Sequence, residues 1–354
     1  FPLQTWLEEH IWPAEGRWVS ADFVRDGSKL ALAEMLRSGT TCFSDMYFFP
    51  ETTAEAAEQV GMRCQLNAPV LDFPTAWGTD ADDYIDKAVA LHKAYSDSEL
   101  VTIGFGPHAP NTVSDAPLQR IVQLSAELNA PVQIHLHETA DEVATALEQS
   151  AMRPSERLEK LGLFNERLQC VHMTQIDDSD LARLNRSGAH VIHCPESNLK
   201  LASGFCPVTQ LQDAGINVAL GTDGAASNND LDLLGEMRTA SLLAKGVSGD
   251  ASALSAHKAL EMATLNGAKA LGLGNTIGSL EVGKAADITA ISLDSLEAQP
   301  LFKPISYLVY SQCGHQVSHV WVNGKLLLDN RALQTLSETL LRDSAQQWAQ
   351  RIQH

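Results

Sequence analysis

Seven short apolar runs rich in β-branched residues recur along this chain, separated by longer amphipathic stretches, and few folds accommodate that alternation. The runs are Thr40–Tyr47, Gly61–Val70, Val101–His108, Pro131–Glu138, Leu168–Thr174, His190–Cys194 and Asn217–Asp223. Helix-like segments lie between them, among them Asp115–Leu128, Glu156–Leu161, Ser179–Ser187 and Pro207–Ala214, with candidate caps at Ser114 or Asp115 and at Ser179. Repeated strand–helix units predict a parallel sheet. Seven strands are one short of a closed eight-stranded barrel, and a doubly wound open sheet is the alternative. Polar residues decide between the two. His108, His135, Glu138, His172, His193 and Asp223 each fall at or beside the C-terminal end of a run. In a barrel those ends converge on one face, whereas an open sheet spreads them along an edge and usually carries a glycine-rich phosphate turn. The sequence has no such turn, so the expected fold is α/β, a TIM-type (β/α)8 barrel counted one strand short.

Beyond Asp223 two helical stretches are expected, Asp232–Lys245 and Ala253–Leu271. Gly278–Asp287 reads as a turn feeding a strand, and Val317–Leu328 as a hairpin with Asn323-Gly324 at its tip. The expected division is a barrel over 1–275, the C-terminal part of a small β-sandwich over 276–331, and a helix over 332–354 whose amphipathic part is Leu333–Ile352.

Of the 354 residues, 44% are hydrophobic and 19% charged, enough to bury a large core. The net charge of −19 repels phosphate backbones and anionic membranes, which argues against a nucleic-acid polymer or a membrane as partner. The six cysteines are scattered without a Cys-x-x-Cys pair, as expected of reduced thiols in a cytoplasmic protein. No apolar run reaches membrane-spanning length.

The chemistry concentrates in the strand ends. In Ile134-His135-Leu136-His137-Glu138, His135 and His137 lie two apart and could share an inward face as a metal pair. The other reading is a ligand, His135, followed three positions on by a proton shuttle, Glu138. His172, His193 and Asp223 end the next three runs. Singly, each is readable as a capping carboxylate or a hydrogen-bonded core histidine. Four consecutive strands delivering such a residue at the same end is not what packing selects. Imidazoles with a carboxylate suit Zn²⁺ or Fe²⁺, which brings the pKa of bound water from about 16 toward about 7. A nearby Glu can then move a proton onto the substrate.

These motifs resemble the amidohydrolase superfamily, and within it the 5′-methylthioadenosine/S-adenosylhomocysteine deaminase (TRZ/ATZ) branch. The resemblance rests on Phe105-Gly-Pro-His108-Ala-Pro, Ile134-His135-Leu-His-Glu138-Thr, Val171-His172, His193-Cys-Pro-Glu-Ser-Asn-Leu-Lys-Leu, Gly221-Thr-Asp223-Gly-Ala-Ala-Ser227-Asn-Asn, Ala263–Gly272 and Gly278–Asp287. It implies that His135 and Asp223 are metal ligands, that Asp223 also accepts a proton from water, and that Glu138 protonates the purine N1. His172 would orient the attacking hydroxide. Trp6, Glu15, His108 and Ser227, together with Glu138, would contact the substrate. His137 is then not a ligand, and His193 is a hydrogen-bonding residue rather than one. The implied cofactor is one divalent metal, Zn²⁺ or Fe²⁺. The implied partner is a small purine nucleoside, and the branch's habit implies a homo-oligomer.

The sequence departs from the branch in two ways. The branch carries a metal-binding His-x-His upstream of the segment matched by Trp6, and this sequence starts after that point. The expectation is a fragment of a longer polypeptide, which alone would be without metal and inactive; a degenerate homologue is the alternative. Second, Leu71–Asp83 contains no arginine where the branch can hold a homocysteine carboxylate, which favours a neutral 5′-substituent. The rival readings are an aminohydrolase or chlorohydrolase acting on guanine, cytosine or an s-triazine, and a non-catalytic barrel used for binding or assembly.

Overall fold

The computed structural model describes residues 1–353. Its main sheet has seven parallel strands: β1 (Cys42–Asp45), β2 (Arg63–Val70), β3 (Val101–Pro107), β4 (Val132–Leu136), β5 (Leu168–His172), β6 (His190–His193) and β7 (Val218–Leu220). All seven expected runs form strands. Their order in the sheet is their order in the chain, with β1 and β7 at its two ends. Each run is short and apolar because it is covered on both faces, by barrel interior on one side and helices on the other. Every residue of β2 and β5 is buried.

The helices close the outer layer. Ile85, Leu118, Ile121, Leu158 and Leu184 reach inward from four of them onto the sheet, forming the largest apolar cluster with Ile134, Leu136 and Leu168. One expected cap moves. The helix Asp178–Ser187 is capped by Asp177, whose carboxylate accepts the amides of Ser179 and Asp180, rather than by Ser179. Ser114 does precede Asp115–Leu128, but its hydroxyl takes no capping hydrogen bond.

The C-terminal region contains one antiparallel layer of the expected small β domain. Strands β8 (Ile288–Ile291), β9 (Val317–Val322), β10 (Lys325–Asp329) and β11 (Ala332–Leu333) pair in the order β11-β10-β9-β8. Asn323 and Gly324 form the β9–β10 turn, with φ of 49° and 77°, the left-handed conformations that such a two-residue turn requires. The layer packs against the helix Ala21–Ser38 through Leu32, Met35, Leu36, Val320 and Leu327. The expectation differs at two places. Ala332–Leu333 adds a short strand to the sheet, so the terminal helix starts at Glu338, not at Leu333. Ala253–Leu271 is not one helix but two, Ala256–Ala263 and Leu265–Ala270, broken where Thr264 adopts φ −130°, ψ −92°. Among the described residues, no helix is long and apolar enough to cross a membrane.

Candidate active site

A cavity of about 1640 Å³ opens at the C-terminal ends of the strands. Its lining includes Trp6, Glu15, His108, His135, Glu138, His172, Asp223 and Ser227, the eight residues to which the resemblance gives a catalytic, metal or substrate role.

The end of β4 places two of them through one unusual backbone angle. His137 has φ 53°, a left-handed conformation that is rare for a side chain of its size and breaks the strand's alternation. His135 and Glu138 therefore face the cavity, while His137 turns into the wall. There its Nδ1 faces the carbonyl oxygen of Gln175 at 3.0 Å, and its Nε2 accepts the Ser155 amide at 3.2 Å. Complete burial pushes its pKa down to about 4, against the pull of Asp180. The reading of His135 and His137 as an inward pair does not hold. His135 lies with its Nδ1 2.6 Å from the carbonyl oxygen of His108, so Nδ1 carries the proton and Nε2 is left as the lone-pair nitrogen. Its ring is stacked near that of His172, with centroids 5.6 Å apart at 24°.

His172 closes β5. Its Nδ1 is 2.8 Å from Asn198 Oδ1, and its Nε2 is 3.6 Å from Glu138 Oε2. Burial lowers its basicity, but the Glu138 and Asp223 carboxylates and the Asn198 hydrogen bond outweigh it, so the pKa is raised. Asp223, with φ 61°, follows β7. Its Oδ2 accepts hydroxyls from Ser197 at 2.7 Å and Ser227 at 2.8 Å, and its Oδ1 accepts the Gly224 amide at 2.7 Å. Burial alone would raise this carboxyl; His172, His135 and the two hydroxyls lower it instead. Glu138 accepts the Ser203 hydroxyl at 3.3 Å. His108 is fixed by Thr112 at 3.1 Å and is kept neutral, its pKa pushed down to about 3 by burial and by His135.

Trp6 and Glu15 reach the cavity from the N-terminal helical segment. Nine positions apart, at 100° per residue, they would lie on opposite faces of a regular α-helix. A π-turn at Leu7–Ile11 separates Leu3–Trp6 from Trp12–Trp18 and underwinds the segment, bringing both side chains to the same cavity. Glu15 accepts the Tyr47 hydroxyl at 2.8 Å, and burial raises its pKa despite that bond.

His193 lies outside the lining. It is buried, its Nδ1 has no hydrogen-bond partner, and burial pushes its pKa down to about 3. Leu71–Asp83 is also absent from the lining. Three of its acids have other work: Asp72 accepts the Ser114 amide, Asp80 caps Ala81–Ala94, and Asp83 bonds Lys87 and Thr79. Arg157 is the one Lys or Arg lining the cavity among the described residues. All three of its guanidinium nitrogens are occupied, by Asp115 and the carbonyls of Pro110 and Val113.

Sequence reasoning missed the supports. Ser197 and Asn198 sit inside a motif already quoted, but only the fold shows that they hold Asp223 and His172. A buried carboxylate, Glu236, accepts the Glu196 amide at 3.2 Å and the Asn228 side chain at 2.5 Å, joining the loops that carry those supports. Deeper in the barrel, Gln65 links Asn67 and Gln169, and Asn67 links Ser44 and Gln133. This polar network occupies an interior layer that barrels commonly fill with Val, Ile and Leu.

Comparison with known proteins identifies the family. The model of the Amidohydrolase family matches residues 1–327. A 5-methylthioadenosine/S-adenosylhomocysteine deaminase of Saccharophagus degradans is 57% identical over 352 residues, covering 99% of this chain and 79% of that protein. The crystal structure of an adenosine deaminase from Xanthomonas campestris with bound zinc has a TM-score of 0.98 at 49% identity, covering 100% of this chain and 80% of that one. The atrazine chlorohydrolase from Arthrobacter aurescens complexed with zinc has a TM-score of 0.91 at 25% identity, covering 98% of this chain and 82% of that one. A sheet that follows the chain order, polar residues gathered at its C-terminal ends, and a family match over almost the whole length have one reading: this chain belongs to the amidohydrolase family.

Proposed function

We propose that this chain carries out the hydrolytic deamination of an adenosine-type nucleoside, 5′-methylthioadenosine ahead of S-adenosylhomocysteine or adenosine, releasing ammonia and leaving the 6-oxo purine. The observation that carries this reading is the convergence of Glu138, His172, Asp223 and His135 on one cavity. The 57% identity to a 5-methylthioadenosine/S-adenosylhomocysteine deaminase, against 25% to a chlorohydrolase, supports deamination over the triazine alternative.

The donors suit part of a metal site. His135 presents Nε2, because Nδ1 faces the His108 carbonyl, and Asp223 presents its carboxylate. These two side chains would be ligands to a divalent ion, zinc or ferrous. When bound, such an ion supplies the Lewis acidity that makes water a nucleophile at neutral pH.

The protein's own groups do the rest. Asp223, whose pKa is lowered against its burial by His172, His135 and the Ser197 and Ser227 hydroxyls, accepts a proton from water. His172, within 3.6 Å of Glu138, orients that water by hydrogen bonding. Glu138 delivers a proton to N1 of the ring as the water oxygen bonds to C6. The proton taken up by Asp223 then passes to the amino group, the C6–N bond breaks and ammonia leaves, and the C6 hydroxyl returns its proton to Glu138, leaving the 6-oxo purine. Trp6, Glu15, His108 and Ser227 surround the nucleoside. The Ser227 hydroxyl is already committed to Asp223, so its part is to shape the pocket and steady that carboxylate. Every nitrogen of Arg157 is already engaged and its charge is paired with Asp115, which supports a neutral 5′-substituent over a homocysteine carboxylate. A cytoplasmic setting belongs to the same proposal and is supported by six unpaired thiols.

The test is ammonia release by the metal-loaded protein. Turnover of 5′-methylthioadenosine with a higher kcat/KM than S-adenosylhomocysteine is expected. No ammonia from either nucleoside or from adenosine would overturn the assignment, and a strong preference for the homocysteine conjugate would overturn the specificity.

A further inference from the structure

The turn after β4 aims the proton-carrying group, and its backbone is clamped from two sides. On the carbonyl side, the Thr174 amide donates to the His137 oxygen at 3.0 Å and the Thr174 hydroxyl to the Glu138 oxygen at 2.6 Å. On the amide side, a single carboxylate takes both N–H groups: His137 donates to Glu142 Oε1 at 3.0 Å and Glu138 to Glu142 Oε2 at 2.7 Å. From this geometry we infer that Glu142 is a positioning residue for the reaction, holding the left-handed turn at His137 so that His135 and Glu138 face the same cavity.

A simpler account would make Glu142 an ordinary helix cap. Thr139 and Glu142 have the spacing of a capping box, in which the third residue's carboxylate returns to the amide of the cap residue. Here the helix Ala140–Ser150 is already capped by Thr139, whose hydroxyl accepts the Glu142 amide at 3.2 Å. The carboxylate passes over the Thr139 amide and takes the two before it. Those two N–H groups have left the β4 ladder and face a half-buried turn, where without an acceptor each would stay unsatisfied. The carboxylate also lines the cavity. Burial raises its pKa to about 7, a cost that an exposed capping glutamate does not bear.

The inference rests on the proposed deamination for its catalytic consequence but not for its structural one, and the test separates them. Hydrogen exchange of the segment spanning His135 to Glu142 should be faster by about tenfold or more in Glu142→Gln than in the unaltered protein, with β2 unchanged. In the metal-loaded protein, kcat should fall by about tenfold or more while KM for 5′-methylthioadenosine stays within about twofold. Glu142→Ala should lose more than Glu142→Gln, which keeps one acceptor oxygen. Should the alanine variant fail to fold, the near-isosteric glutamine variant still decides. Unchanged exchange in the segment together with unchanged kcat would overturn the inference. Absence of turnover in the unaltered protein would count against the deamination proposal alone, and the exchange comparison would still judge Glu142.

Discussion

Glu138 is the residue on which the proposed chemistry depends most directly. It sits 3.6 Å from His172 and is held by Ser203, so replacing the carboxylate by an amide preserves shape while removing the transferable proton. Glu138→Gln should lower kcat by about 10²–10⁴-fold with KM little changed, measured by ammonia release. A residual kcat within a factor of a few of the parent would remove Glu138 from the proton-transfer role. At this scale the sequence was readable where a residue type announces its chemistry at a strand end. It was silent where a hydroxyl or amide acquires its role only by tertiary proximity. Asn198 supports His172 across 26 positions and Ser203 supports Glu138 across 65, and no local pattern encodes such pairs. Glu142 lay between these cases. Its spacing from Thr139 was visible, but the two amides it serves depend on the φ of His137.

The π-turn at Leu7–Ile11 decides what the N-terminal helical segment presents to the cavity. A π-turn holds one residue more than the corresponding α-turn, so deleting Glu9 should restore regular winding and rotate Trp6 by about 100° relative to Glu15. The expected result is a rise in KM for the nucleoside of about tenfold, with kcat far less affected, because binding is altered and the proton-transfer groups are not. An unchanged KM would show that Trp6 does not contact substrate from this turn. The seven strands were legible because each is a short apolar run bounded by turn residues. The break at Thr264 and the late start of the last helix were not, since periodicity continues smoothly through both: the two helices flanking Thr264 each pack on β7, and Ala332–Leu333 is drawn into pairing with β10.

For the molecule as a whole, two sets of buried groups oppose each other in pH. His108, His137 and His193 stay neutral in the fold, with pKa values pushed from 6.5 down to about 3, 4 and 3 by burial. The unfolded chain binds those protons first, so their contribution is lost as pH falls below about 6.5. Asp45, Glu142 and Glu236 behave oppositely, raised by burial to about 6, 7 and 8. The fold holds protons that the unfolded chain has released, so stability falls as pH rises through that range. Between about pH 4.5 and 6.5 the two sets offset each other, and above 6.5 the carboxyl loss continues, joined by that of His172, whose pKa is raised. Urea denaturation of the metal-free chain should therefore show its highest midpoint between about pH 5 and 6.5 and lower ones at pH 8 and pH 3.5. A midpoint still climbing from pH 6.5 to 8 would show that the carboxyl shifts are not those of the fold.

The sequential order of the main sheet bears on how the protein is made. Each strand, on leaving the ribosome, finds its neighbour already built, so the sheet can extend in the direction of translation without waiting for distant pairings. The reacting groups then arrive on a schedule. His108, His135 and Glu138 emerge first and His172 next, while Asp223 follows His135 by about ninety residues. Ser197, Asn198 and Ser203 appear in the interval, so Ser197 precedes the carboxylate it holds, Asp223, whereas Asn198 and Ser203 reach His172 and Glu138 after those groups have been made. Asp223 is the last of the proposed reacting groups to be made, so under the proposed function the nascent barrel is inert until its seventh strand has docked.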